Sequence, residues 1–321
     1  MKKLIISMLV ALPVCVMAAN KTSVTITDLN NNVLTQNIER NLSALITELN
    51  SAWEESRNPN WKQCRQWADD RTCNSLSMLW ENSIFRCTEE EVVEIGMQSY
   101  GGEYEVRNIP FIFTSDGRDE YHEAAVTFNN RGLVTSFRMM ISTTLYRKVI
   151  EQGEDVRDYR QRNMILKYTE DFRTAYEQHD LDFMNKIFSE DALIITGKVI
   201  KVAPTKENNF QSTKVQYSKQ DKKTYLKNLK AVFAANKRIK VSFDKIKVER
   251  HPIEEDFYGV TLHQGYSSDR YSDEGWLFLL WDFRDQDNPM IHVRTWQPDT
   301  NPFTKQKIKE EDIFSLADCD L

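Results

Sequence analysis

Three side chains near the end of the chain combine the residue types that proton transfer needs. Asp282 ends a strongly apolar segment, and His292 and Arg294 follow it closely. A carboxylate held in an apolar cavity has a raised pKa and can act as a general acid or base. If the three side chains converge on one cavity, we expect proton transfer on a small hydrophobic ligand. Asp282 or His292 would then be the base, and Arg294 or Tyr225 would polarise the ligand.

The same side chains also have a structural explanation, which we favour over catalysis. Asp282 and Arg284 lie beside a predicted hairpin turn, where charges are usually solvated, and Arg294 could pair with Asp282 across the strands. His263 and His292 could be hydrogen-bonded strand residues. The histidines lack the spacing of a metal-binding helix and there is no CxxC motif, so we predict neither a metal nor a cofactor.

The segment that carries Asp282 is an unusual strand. From Trp276 to Phe283 it is apolar at nearly every position, whereas a strand with one face in water alternates apolar and polar residues. We therefore expect both faces to be dry, with one lining a pocket and the other meeting the first half of the chain or a second copy. Because side chains two residues apart share a face, His292, Arg294 and Trp296 should lie together on the next strand.

A pocket in this half would be lined mainly by aromatic side chains. The candidate ligand-binding residues are Tyr168, Phe172, Phe188, Tyr225, His263, Trp276, Phe278 and Trp296. Aromatic residues at helical spacing are more often core than a ligand cage, and Trp296 could simply close one end of that core.

Helices are predicted to open the second half. Apolar residues recur at helical spacing from Ile165 to Tyr176, and Asp180 can cap a short second helix. A third helix would begin at a capping box formed by Ser218 and Asp221.

Strands are predicted to close it. Residues 192–203 would form two short strands that meet at Gly197, and 206–217 would be a loop. Four strands between 239 and 296 would follow, the last two as a hairpin.

The first half has a similar order of elements. An amphipathic helix is predicted from Ile38 to Trp53, and the acidic stretch 88–95 is predicted to be helical because acidic residues suit the first turn of a helix. Strands follow, with a hairpin turn at Asn130 to Gly132. Helices first and strands last predict α+β domains, each with N-terminal helices packed on a curved antiparallel sheet. The two halves could be diverged copies.

The N-terminus has the form of a secretory signal peptide. Lys2 and Lys3 precede an apolar run, and small residues then allow cleavage after Ala18 or Ala19. The run is short for a membrane span, and Cys15 lacks the small preceding residue of a lipobox, so lipidation is disfavoured. We predict a secreted or periplasmic protein with no membrane span in the mature chain. The expected organisation is a signal peptide at 1–19, domains at 20–150 and 160–300, and a C-terminal tail at 301–321.

Composition excludes some classes of partner. The 321-residue chain is 40% hydrophobic and 28% charged, with a net charge of −6. It has no basic block or RNA-binding motif, so nucleic acid is not an expected partner. In an oxidising compartment the remaining cysteines, Cys64, Cys73, Cys87 and Cys319, could form disulfides or stay buried thiols. Cys64 and Cys73 could bridge a short loop.

Several segments of the second half resemble the nuclear transport factor 2-like superfamily, the cystatin-like α+β cone that includes SnoaL-like proteins. They are ILKYTEDFRTAYEQHD, LDFMNKIFSEDALI and the closing HVRTWQP, within about 163 to 298. The whole chain looks like a group of secreted bacterial proteins with this label, and the first half like a more diverged copy. The resemblance implies a fold rather than a reaction, since the superfamily contains isomerases, dehydratases and non-catalytic modules.

The sequence resembles a known fold but contains no recognisable catalytic motif, and this combination favours non-catalytic binding or assembly. We expect a small apolar pocket in the second domain that takes a small hydrophobic ligand. The alternatives are an isomerase- or dehydratase-like enzyme, and an envelope module that binds a protein partner or a second copy of the chain.

Overall fold

The computed structural model of the chain describes residues 21–98, 102–115, 117–202, 212–301 and 304–319. It contains two sheets of six strands, each covered by helices. The predicted signal peptide lies outside the described residues. Within them, none of the helices has the length and apolar character that crossing a bilayer requires.

The first half is built around one long helix. Its elements are β1 (Ser23–Thr27), α1 (Asn32–Glu54), α2 (Trp61–Cys64), α3 (Asp70–Asn82), β2 (Ile84–Arg86), β3 (Glu91–Gln98), β4 (Tyr104–Ser115), β5 (Arg118–Phe128) and β6 (Val134–Met139). The strand order is β1-β3-β4-β5-β6, with β2 also paired to β4. The pairs are antiparallel except β1 with β3, which is parallel.

The second half repeats this plan with longer strands. Its elements are α4 (Thr143–Ile150), α5 (Val156–Glu177), α6 (Leu181–Ile187), β7 (Phe188–Val202), β8 (Ser212–Gln220), α7 (Lys222–Ala235), β9 (Ile239–Arg250), β10 (Phe257–Ser268), β11 (Ser272–Asp282) and β12 (Met290–Pro298). The strand order is β8-β7-β12-β11-β10-β9, and only β12 with β7 is parallel. The predicted α+β class is confirmed.

Three predicted local structures were wrong. The acidic stretch at 88–95 was predicted to be helical but contributes to β3, where Val92 and Gly96 are buried and Val93 and Ile95 are exposed. Residues 192–202 do not break at Gly197, because β7 continues through it. The predicted loop from 212 to 217 is part of β8, which pairs with β7.

Helix starts follow local capping chemistry. The carboxylate of Asp180 accepts a hydrogen bond from the Phe183 amide at 2.9 Å, as predicted for α6. At α7 the cap is Asp221 alone, which accepts from the Thr224 amide at 2.8 Å. Ser218 lies within β8 instead of forming the predicted capping box.

Each half has its own apolar core between helices and sheet. The first is centred on α1, with Ile38, Leu42 and Leu45 fully buried. The second includes Phe172 of α5 and the inward face of β11. Helix α4 packs on α5 and β9, with Val149 in the second core, although it lies within the range that we propose for the first domain. The division at 20–150 and 160–300 remains our proposal.

The outer face of β11 is covered by the end of the chain. Phe278 and Leu280 pack against Leu316 and Phe314. The Gln297 side chain fixes this segment, because it donates to the Asp312 carbonyl at 2.9 Å and accepts from the Phe314 amide at 2.8 Å. The apolar pattern of β11 predicts that the first half or a second copy covers this face, whereas the structure has the C-terminal segment there. The C-terminal segment covers it because its apolar residues match the two outward-facing apolar side chains of the strand, Phe278 and Leu280.

A buried ionic network joins the two halves. Arg138 of β6 is 1% exposed, and its guanidinium contacts Glu105 of β4 and Glu170 of α5. Arg107 lies 2.7 Å from both carboxylates. Burial acts to raise the pKa of Glu105, but the two arginines hold it down at about 2.

The described cysteines of the first half are free thiols. Cys64, Cys73 and Cys87 are buried, and burial raises the pKa of Cys64 to about 12 and that of Cys73 to about 11. Thiols with such pKa values are poor nucleophiles at neutral pH. Of the two alternatives open from the sequence, the structure has the buried thiols.

Candidate functional site

The second half contains a cavity of about 530 Å³ between its sheet and α7. The end of α5, strands β7, β8, β10, β11 and β12, and α7 all contribute to its wall. The lining residues with polar or aromatic side chains are Tyr176, Thr196, Lys198, Gln220, Tyr225, Asn228, Asn236, Gln264, Tyr266, Ser268, Arg270, Tyr271, Asp273, Arg294 and Trp296. This volume lies within the usual range for a small-ligand site.

The inner wall depends on a bulge in β12. The pairing of β12 shifts register between Ile291 and Val293 against β7, and beside Trp281 against β11. After this shift Arg294 and Trp296 point inward and line the cavity. A Cβ at Gly197 or Gly275 would lie 2.2 or 2.6 Å from the Trp296 indole. Both glycines are therefore needed for the indole to lie flat against the neighbouring strands.

Arg294 is the most unusual group in the cavity. It is 5% exposed, and its Nε and Nη1 atoms have no hydrogen-bond partner among the described residues. The guanidinium carbon lies 5.6 Å from the centre of the Tyr225 ring, a weak cation–π distance. The Tyr225 and Tyr176 hydroxyls bond to each other. Burial raises the pKa of Tyr225 well above its ordinary value, so this phenol stays neutral.

Asp273 adds a carboxyl group to the same cavity. Burial raises its pKa above the ordinary value, although the Tyr271 hydroxyl donates to its Oδ2 at 2.7 Å. We did not single out Asp273 from the sequence. It shares the inward parity of Leu277 in β11, so extending the strand pattern two residues further back would have found it.

The cavity carries more positive than negative charge. Lys198 and Arg270 join Arg294 in its lining, and Asp273 is the one acidic residue among the lining residues described. The Lys198 Nζ lies 5.3 Å from the centre of the Tyr271 ring. Neither Lys198 nor Arg270 has a carboxylate within 4.0 Å among the described residues.

The predicted ligand-binding residues divide into three groups. Tyr225 and Trp296 line the cavity. Phe172 and Phe188 are buried core residues that meet edge to face, and Tyr168 packs against Trp281 with ring centres 5.3 Å apart. His263, Trp276 and Phe278 lie on the opposite face of the sheet and do not reach this cavity. There the rings of His263 and Trp276 are 4.8 Å apart, and Phe278 contacts the C-terminal segment.

Asp282 and His292 meet, but not in the cavity. His292 Nε2 lies 3.0 Å from Asp282 Oδ2, on the outer face beside Phe257. Our prediction that His292 shares a face with Arg294 was wrong, because the bulge shifts His292 outward. Burial acts to raise the pKa of Asp282, but hydrogen bonds from Arg284 hold it below its ordinary value. This is the opposite of what a general base at neutral pH needs.

One group among the described residues has the spacing of metal ligands. His263, Glu274 and Asp299 each bring a ligand atom within 4.8 Å of the others. His263 Nδ1 already lies 2.6 Å from Asp244, and the Lys307 ammonium lies 3.5 Å from Asp299. Since these contacts use the same side chains, we assign no metal to the group.

Comparisons with known proteins give similarity in fold. No family model matches the chain, and a search of curated proteins finds no match. Among solved structures, Bd1075 from Bdellovibrio bacteriovorus is similar over 52% of this chain and 45% of its own length, with 16% identity and a TM-score of 0.33.

Two further structures cover a single half. A nuclear transport factor 2-like superfamily protein from Salmonella enterica serovar Typhimurium is 7% identical over 43% of this chain and 91% of its own, with a TM-score of 0.33. A candidate dehydratase of the same family from Streptomyces avermitilis is 13% identical over 42% and 94%, with a TM-score of 0.30. Each of these similarities concerns the fold alone.

Proposed function

We propose that the second half binds a small, partly apolar molecule in the cavity beside α7 and does not transform it. The observation that carries the proposal is a cavity of about 530 Å³ whose wall combines four tyrosines and a tryptophan with polar and charged side chains. Ligand sites commonly combine such apolar walls with a few polar groups that fix orientation. Because the N-terminus has the form of a secretory signal peptide, we also propose that this binding takes place outside the cytoplasm.

A neutral fluorescent dye tests the proposal directly. N-phenyl-1-naphthylamine should bind saturably to the purified chain, and its emission should rise on transfer to an apolar site. Ala231→Trp would fill the cavity from α7 and should abolish binding. Lys230→Trp is the control and should bind like the wild type, because Lys230 is exposed like Ala231 but does not line the cavity. Equal binding by both variants would count against the cavity.

A second candidate is proton transfer, favoured by the raised pKa of Asp273 in a cavity that also holds Arg294. In this case Asp273, rather than Asp282, would be the base. The protein should then catalyse deuterium uptake from solvent into the methyl group of 2-acetylnaphthalene. Asp273→Asn should abolish the exchange while the neutral dye still binds. Exchange at the background rate would leave binding alone as the function.

A further inference from the structure

We propose that the natural ligand carries a carboxylate, which the Arg294 guanidinium binds inside the cavity, and an apolar body that packs on Trp296 and α7. This inference rests on the proposed binding function and names the class of ligand. The ligand is therefore a small organic acid with an aromatic or branched apolar portion.

The first argument is the state of the Arg294 side chain. A buried guanidinium is costly unless charged or polar groups pair with it. Yet Arg294 forms no ion pair within 4.0 Å among the described residues, and two of its three nitrogens have no hydrogen-bond partner there. A ligand oxyanion would supply both the opposite charge and the missing acceptors.

The second argument is that the nearby protein groups do not neutralise Arg294. The Tyr176 hydroxyl, which bonds to that of Tyr225, also hydrogen-bonds to the Arg294 guanidinium, but a neutral phenol brings no opposite charge. The Asp273 carboxylate accepts from Tyr271 at 2.7 Å, and among the described residues it forms no ion pair within 4.0 Å of the guanidinium. Structural arginines normally look like Arg138, which the carboxylates of Glu105, Glu170 and Asp171 surround. Arg294 differs from it in facing a cavity rather than an acidic partner.

The third argument is charge at the cavity edge. Lys198 and Arg270 are exposed side chains in the lining, and neither forms an ion pair within the described residues. Positive charge around an opening raises the local concentration of anions and speeds their entry. A cationic ligand would meet repulsion at the edge and again at Arg294.

The fourth argument is the apolar remainder of the wall. Trp296 is 4% exposed and lies between two glycines, and Leu229 and Val232 of α7 face the same space. Such a surface suits the ring or branched chain of an organic acid. A compact polar anion such as phosphate would leave this surface without a partner.

The test uses a matched pair of probes that differ only in charge. 2-Naphthylacetate carries the carboxylate, and 2-(2-naphthyl)ethanol replaces it by a neutral alcohol. Dissociation constants are measured for both by competition with the neutral dye. We expect the wild type to prefer the acid by about tenfold or more, since a hydrogen bond to a charged group contributes about 1.5–3 kcal/mol. Arg294→Gln should lose that preference and keep its affinity for the alcohol.

Arg284→Gln is the control, because Arg284 lies on the outer face beside Asp282. It should keep the wild-type preference. If Arg294→Gln does not fold, Arg294→Lys takes its place and should keep a reduced preference for the acid. The ratio of the dissociation constants of the wild type for the acid and the alcohol still tests the inference. An alcohol that binds as tightly as the acid would overturn this inference while the binding function stands. If neither probe nor the dye binds, both proposals fail together.

Discussion

At the scale of single residues, alternation along β12 predicted that Arg294 and Trp296 share a face, and the structure has them together in the cavity. The same rule failed for His292, because a β-bulge inserts one extra residue into β12. Side chains before and after the bulge therefore no longer alternate in one continuous pattern. Periodicity in a sequence cannot reveal a bulge, since the bulge depends on pairing with two other strands. Asp273 was missed for a simpler reason: the strand begins earlier than its apolar run.

Asp273 should make stability fall as pH rises. Its pKa is raised above 3.8 in the folded protein, so the folded state binds the proton more tightly than the unfolded chain. Stability is then lost as pH increases through the window above 3.8. We expect Asp273→Asn to gain stability relative to the wild type between about pH 4 and pH 7. Urea unfolding at several pH values measures the difference.

The control for this prediction is Asp285, whose contribution to stability changes with pH in the opposite direction. Hydrogen bonds from Asn288 and from the Asp287 amide lower the pKa of Asp285, which lies in an exposed turn. That carboxylate contributes stability above 3.8 and loses it as pH falls. Asp285→Asn should therefore cost stability at pH 7 and little at low pH. Parallel pH profiles for the two variants would contradict the assignment for Asp273.

At the scale of elements, strong apolar periodicity predicted α1, α5, α6 and the four strands β9 to β12. It missed β1, a five-residue strand, and assigned the wrong structure to β3. β1 is short and lies at the edge of its sheet, and β3 is its neighbour, with most of its side chains outside the core, so the local apolar pattern of both strands is weak. Acidic residues next to β-branched ones allow either structure, and pairing with β1 and β4 settles the outcome.

The C-terminal segment should contribute measurable stability. Leu316 is buried against Phe278, and a Cβ at Gly259 would lie 2.7 Å from the Leu316 Cβ, so the fit is close. Leu316→Ala should destabilise the protein by about 2 kcal/mol, at the low end for a buried leucine because the site is near the surface. Chemical unfolding measures the loss.

Glu311→Ala is the matched control in the same segment. Glu311 pairs with Lys309 in water at 3.1 Å, and such surface pairs contribute little. Its unfolding midpoint should stay close to that of the wild type. Similar losses for Leu316→Ala and Glu311→Ala would mean that the segment does not pack on β11 as described.

At the scale of the whole molecule, the contact between the halves is ionic at its centre. Arg138→Met would leave Glu170, which is fully buried, with Arg107 as its remaining arginine partner in the described network. Breaking a buried ion pair on one side costs about 3–5 kcal/mol. We expect a loss of that size in chemical unfolding. The sequence could not indicate this network, because its members come from three elements whose approach depends on how the halves pack.

Arg65→Met provides the comparison for that variant. Arg65 pairs with Asp70 at 2.6 Å at an exposed position, where an ion pair contributes about 0–1 kcal/mol. The unfolding free energy of the Arg65→Met variant should therefore fall by no more than this amount. An Arg138→Met variant no less stable than Arg65→Met would show that the network does not hold the halves together.

The parallel pairing of β12 with β7 joins residues far apart in the chain, with Arg294 opposite Ile194. Closing so large a loop costs conformational entropy, and this cost is offset only when the two strands pair. Such a pairing therefore forms slowly. Arg294 and Trp296 belong to one of these strands, and Lys198 and Gly197 to the other. A chain that is still folding can therefore form helices and local hairpins without any place for a ligand. We therefore expect the proposed capacity to bind a ligand to arise only when this long-range pairing completes the sheet.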